Sequence, residues 1–288
     1  MEGHRRPIEL SQTSHNENKG RRHARFDTDR NPMIGWPHLS KTSLARAMIL
    51  IGAVLALELL CRSGIIDRVT MIPPSEMFAA LWQIIRTGRF NQDILFTTYN
   101  IAAASVLAIA AGVLLGAALH AWPRARNVVS PLLSAYYAVP TFVFYPLLVI
   151  AFGTGRLALI VMGTLFGVVA MMVNTMLGLD HVPPAIAKTG AIMRLDPIRR
   201  LFLIRLPAAA PHLITGIKLA VAYGVIGIVA GEFILATAGI GKRVSLAYDN
   251  FDNKTMYGML LMLLIGVMCI NGLLTIWEKR LHRRFGQR

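Results

Sequence analysis

Apolar residues fall into long runs separated by short polar stretches. This is neither the two-residue alternation of a half-buried strand nor the narrow stripe of a helix on a soluble domain. A hydrocarbon core about 30 Å thick takes roughly 20 residues of apolar helix to cross. Six runs qualify, at 44–62, 94–119, within 128–152, 157–179, 212–236 and 255–277. The first carries Glu58 and ends at Arg62, and the fifth carries Lys218 and Glu232, while the other four are free of charge. The pattern predicts an all-α membrane protein of about six transmembrane helices.

The polar intervals have patterns of their own. PPSEMFAALWQIIRTG offers Ser75 as an N-cap, apolar residues at Met77, Phe78, Leu81, Ile84 and Ile85, and Gly88 as a stop, so a short amphipathic helix is expected there. In the interval 180–211, Asp196 before Pro197 marks a helix start. That interval reads as two short helices meeting near Leu195 and Asp196, with Leu195, Ile198, Leu201 and Phe202 on one face. Pro140 and Pro146 are expected to bend the third span. Glycines four apart, at 112 and 116, 163 and 167, and 227 and 231, predict close helix packing, chiefly within the chain's own bundle.

Composition agrees, with 288 residues that are 55% hydrophobic and 16% charged and a mean hydropathy of +0.52. The net charge of +15 does not indicate a nucleic-acid partner, because the cations gather beside the spans. They are densest before span one, at 120–127, at 180–211 and after span six, which places those segments and both termini in the cytoplasm. The expected organisation is then a disordered cytoplasmic tail (1–43), a first span (44–62), an external segment with its amphipathic helix (63–93), a core of five spans (94–278) and a cytoplasmic tail (279–288). Cys61 and Cys269 lie inside apolar runs and indicate neither a disulfide framework nor a metal cluster.

Catalytic signatures such as HExxH, GxSxG or paired intramembrane aspartates are missing. TAGIGKR at 237–243 is not a phosphate-binding loop: Ala236 stands where its first glycine belongs, and Arg243 replaces the Ser or Thr after the lysine. The chain is therefore expected to be no enzyme and to bind no cofactor, with any ATP held by a partner. Polar groups within spans four and five, Asn174, Tyr223 and Glu232, are candidates for lining a translocation path, and helix packing is the competing reading of each.

PSEMFAAL, SPLLSAYYAVPTFVFYPLLVIAFGTG, LPAAAPHLITGIKLA, GEFILATAGIG and EKRLHRRF follow one another in an order that resembles the permease subunits of binding-protein-dependent ABC importers, especially those for nitrate, taurine, aliphatic sulfonates and thiamine-precursor pyrimidines. The likeness covers about residues 70–285. It implies the type I ABC importer permease fold, a homodimeric pore in the bacterial cytoplasmic (inner) membrane, an ATPase subunit on the inside and an external solute-binding protein delivering a small solute. These permeases carry a cytoplasmic loop with the pattern EAA, three residues, Gly, nine residues, Ile, one residue, LeuPro. Here Ile204, Leu206 and Pro207 match its end, whereas Lys188, Thr189 and Gly190 replace EAA and Arg194 replaces the glycine. The resemblance thus implies that Lys188, Gly190, Arg194, Asp196, Arg199, Ile204, Leu206 and Pro207 couple the chain to its ATPase. Either that ATPase has compensating acidic residues or the coupling is weakened. The rival readings are an ion-driven secondary transporter and a membrane subunit that does not transport.

Overall fold

The computed structural model describes residues 41–136, 139, 141–234 and 236–285. The tail up to residue 40, Pro140 and residues 286–288 lie outside the described residues. Contacts divide the chain between Ile51 and Gly52, and the packing below concerns residues 52–288.

Every regular element described is helical. The long helices are α1 (Lys41–Arg62), α3 (Asn91–Ala121), α6 (Arg156–Asp180), α10 (Ala210–Ile234) and α12 (Asn253–Phe285). These five are long and apolar enough to cross a membrane. The third expected span is broken instead: α4 (Pro123–Tyr136) meets a 3-10 turn (Thr141–Phe144) and α5 (Tyr145–Phe152) at a bend of 95°. Counted as one bent span, it gives the sixth. Pro146 does not bend a helix here. It sits in the first turn of α5, where no intrahelical donor is needed.

The core is α6 sandwiched between α3 and α10. The sequence permits this because the facing positions are small. A Cβ at Gly112 would meet the Met171 side chain, one at Gly167 would lie 2.7 Å from the Ala220 carbonyl oxygen, and one at Gly163 would lie 2.9 Å from the Ala104 Cβ. All three glycine pairs therefore serve contacts within the chain. Gly167→Ala is expected to cost about 1–3 kcal/mol, because the obstructing atom is backbone of α10 and cannot rotate away. Gly272→Ala in α12 meets nothing within 4 Å and should be neutral or stabilising by up to about 1 kcal/mol. Thermal unfolding of the two variants side by side checks this contrast.

The amphipathic helix is α2 (Pro74–Thr87), which ends where Gly88 adopts a left-handed backbone (φ 61°). Its start differs from expectation. Pro73 is the N-cap and Ser75 lies inside the first turn. The capping acceptor is Glu58 of α1, which takes the Ser75 N–H at 3.0 Å and the Ser75 hydroxyl at 2.7 Å while its carboxylate holds Arg62 at 2.6 Å. Pro73 at the N-cap has no side-chain acceptor to offer, so a carboxylate from another helix fills the role. The buried face of α2, Leu81 and Ile84, packs on α12.

Candidate functional site

Two sites stand at opposite ends of the bundle. One is the elbow between α6 and α10. The chain runs through α7 (Pro184–Ile192), α8 (Pro197–Arg200), a π turn (Leu201–Arg205) and α9 (Leu206–Ala208) before entering α10. Its base is fixed by Asp180, the last residue of α6. Arg126 donates to both Asp180 carboxylate oxygens, at 2.9 and 2.6 Å, and His120 Nδ1 lies 3.0 Å away. A fork of this kind has fixed geometry, so the ends of α3, α4 and α6 are held together where the elbow leaves the bundle.

Within the elbow, Arg194 sits between α7 and α8 with φ 49°, a left-handed backbone that favours glycine. This explains the glycine at that point of the importer motif: the chain must turn there whatever the side chain. Asp196 occupies the N-cap of α8 and Pro197 its first position, but the Asp196 side chain makes no capping hydrogen bond. Leu201 and Leu206 pack against Ala117, Leu179 and Ala209, anchoring the elbow. Pro207 lies in the first turn of α9. Ile204 is half-buried, whereas Lys188, Arg194, Asp196 and Arg199 are exposed. Gly190 lies within α7.

The expected single face of Leu195, Ile198, Leu201 and Phe202 is split. Leu201 turns inward, while Ile198 is 68% and Phe202 50% exposed. The break at Arg194 and the wider turn at 201–205 rotate the later residues away from α-helical register. The result is an outward apolar set, Ile192, Met193, Ile198, Phe202 and Leu203, surrounded by cations.

The other site lies where α11 (Ile240–Asp249) begins. A helix start leaves N–H groups without intrahelical acceptors. Here three side chains supply them: Gly239 N–H donates to Asp93 at 3.1 Å, Ile240 N–H to the Thr97 hydroxyl at 2.8 Å, and Gly241 N–H to Glu232 at 3.1 Å. Thr97 in turn donates to Glu232 at 2.7 Å, and Arg243 Nε donates to Asp93 at 2.8 Å. Glu232 and Asn100 are fully enclosed, and Asn100 faces the same carboxylate. Two carboxylates at a helix N-terminus are placed where the helix dipole favours them. Glycine is required at 241, since a Cβ there would run into the Val229 carbonyl oxygen and the Glu232 side chain.

Glu232 supports a helix start, in line with the packing reading of this residue, and the nearby Arg243 pairs with Asp93. Asn174 donates to the Ala170 carbonyl at 2.8 Å and packs under Gly216, and Tyr223 is half-buried on α10. Asn174 thus lies beside the start of α10 and Glu232 near its end, at the cap of α11. Lys218 does not reach toward solvent but pairs with Glu278 of α12 at 2.6 Å. Asp93 and Thr97 were not candidates, because Asp93 falls one residue before the apolar run. The signal was the polar spacing 93, 97, 100 along one face of an otherwise apolar helix.

Residues 108–287 match the family described as binding-protein-dependent transport system inner membrane component. The chain belongs to this family. Among its relatives, a probable ABC transporter permease protein of Haemophilus influenzae is 32% identical over 143 residues, 50% of this chain and 58% of that one. The taurine transport system permease protein TauC of Escherichia coli is 28% identical over 61% of this chain and 60% of its own. The nitrate import permease protein NrtB of Leptolyngbya laminosa is 24% identical over 57% and 60%. The chain thus spans about three fifths of the length of these relatives. A chain of the MetNI methionine ABC transporter, in an inward-facing form, superposes with a TM-score of 0.59 at 17% identity, over 68% of this chain and 97% of that one. The family member described here therefore has the fold of an ABC importer's membrane subunit.

Proposed function

We propose that the chain is the permease subunit of an ABC importer, a multi-pass protein of the bacterial inner membrane that forms the translocation path for a small solute. An external binding protein delivers the solute and a separate cytoplasmic ATPase supplies the energy; the chain itself is no enzyme. The elbow carries this reading. Apolar side chains as exposed as Ile192 (81%) and Ile198 (68%), on a cationic turn fixed at its base by Asp180, are what a docking element presents before its partner arrives. Lys188, Arg194, Asp196 and Arg199 would meet the ATPase directly, whereas Leu206, packed on Ala117, Leu179 and Ala209, would set the elbow's attachment with Ile204 and Pro207 beside it, and Gly190 lies in the elbow's first helix.

Two copies are proposed to enclose the path. A groove of about 660 Å³ between α10, α11 and α12 is lined by apolar side chains such as Val229, Phe233 and Leu264, an open face that a second copy would close. Asn174, Tyr223 and Glu232 remain candidate path residues only through such an assembly. Membership in a binding-protein-dependent family disfavours an ion-driven carrier.

The test is co-purification in lipid with the candidate ATPase and binding protein. ATP hydrolysis is expected to rise when solute-loaded binding protein is added. Absence of association with any ATPase would sink the reading.

A further inference from the structure

Two non-glycine residues among those described have left-handed backbones, Arg194 in the elbow and Phe251 (φ 57°) between α11 and α12. For a bulky side chain such a conformation is strained, and it persists only where the surroundings impose it. Phe251 is held by the Phe251 N–H to Tyr248 carbonyl bond (3.1 Å) and the Asp252 N–H to Ala247 carbonyl bond (2.8 Å). Next to it, Asn253 donates to the carbonyls of Arg68 (3.0 Å) and Val69 (2.7 Å), and Tyr257 to that of Thr70 (2.6 Å). The segment after α1 is thereby stapled to the start of α12.

The strain presents an aromatic ring to the outside: Phe251 is 79% and Val69 64% exposed. Between them runs a groove of about 380 Å³ edged by Arg68, Glu76, Asp252 and Lys254. The patch lies at the end of the bundle opposite the elbow, because Lys218 near the start of α10 pairs with Glu278 near the far end of α12.

We propose that this patch is the docking surface for the external binding protein. The proposal rests on the importer reading above and names the contact that reading leaves unassigned. A rigid apolar centre inside a charged rim is the anatomy of a protein interface. The rim carries both signs, so it suits a protein surface with its own mixed charge. A bilayer leaflet would instead draw a cationic rim, and Glu76 and Asp252 would face its anionic headgroups.

The test uses the full chain with its ATPase in lipid nanodiscs and measures binding of the solute-loaded binding protein. Phe251→Gly removes the ring and relieves the backbone, and co-purification with the ATPase separates lost binding from a weakened fold. The substitution should lower affinity by about tenfold or more, as loss of a buried aromatic anchor does, while the variant still co-purifies with the ATPase. Val69→Asp should act in the same direction. Affinity within twofold of wild type in both variants overturns the proposal and leaves the importer reading intact; failure of the wild type itself to bind overturns both. Quenching of a Phe251→Trp variant by brominated lipid would seat the ring in the membrane and also overturn the proposal.

Discussion

Glu232→Ala is expected to free the start of α11 from the bundle. The substitution takes away the acceptor of two donors, the Thr97 hydroxyl and the Gly241 N–H, in a place with no solvent to replace it. Two buried donors left unpaired cost about 2–6 kcal/mol together. The loss is concentrated at one helix terminus, so local opening should exceed global unfolding. Amide hydrogen exchange at Gly239–Arg243 should quicken sharply, and the melting temperature in detergent should fall. Glu232→Gln separates hydrogen bonding from charge, since the amide oxygen can still accept from Thr97 and Gly241. It should keep most of the protection. Unchanged exchange in Glu232→Ala would show that Asp93 and Thr97 hold α11 without it.

The spans were legible because the membrane imposes one requirement, length of apolar helix, that any single sequence displays. The third was expected to bend and does, but at a break of 95° between α4 and the 3-10 turn and not at Pro146. Apolarity alone does not place such a break, because the same apolar run continues through it. The elbow's existence was readable from Asp196, Pro197 and the cations, but its faces were not. A left-handed Arg194 and a π turn both cancel the 3.6-residue register on which such a reading depends. The α11 site was hidden further, since its parts are far apart in the chain: Gly239 and Asp93 are 146 residues apart. Glu232 stood out as a lone acid in a span, yet its partners are a threonine and a backbone N–H, groups that attract no notice in a sequence. Ser75 failed as a cap for the same reason, because the acceptor that replaced it comes from another helix.

Lys188→Glu combined with Arg194→Gly, which restores the importer motif at both positions, should weaken assembly with the chain's own ATPase. The wild-type elbow presents exposed Lys188, Arg194 and Arg199 with Asp196 as the exposed acid among them. On the proposed reading, a groove coadapted to this elbow would be acidic. The double variant removes one cation and reverses another, which would set like charges together across such an interface. Such juxtaposition costs several kcal/mol when desolvated, so association should fall by about tenfold or more. Arg194→Gly alone tells the backbone apart from the charge. It relieves about 1 kcal/mol of left-handed strain and should leave the elbow at least as ordered, so a loss of association that shrinks at high salt is electrostatic. The measurement is the dissociation constant of the ATPase for the permease in nanodiscs at low and high salt, with the double variant losing most at low salt. Equal or tighter association of the double variant would mean that the ATPase groove is not acidic, and that the wild-type cations weaken a coupling built for the ordinary motif.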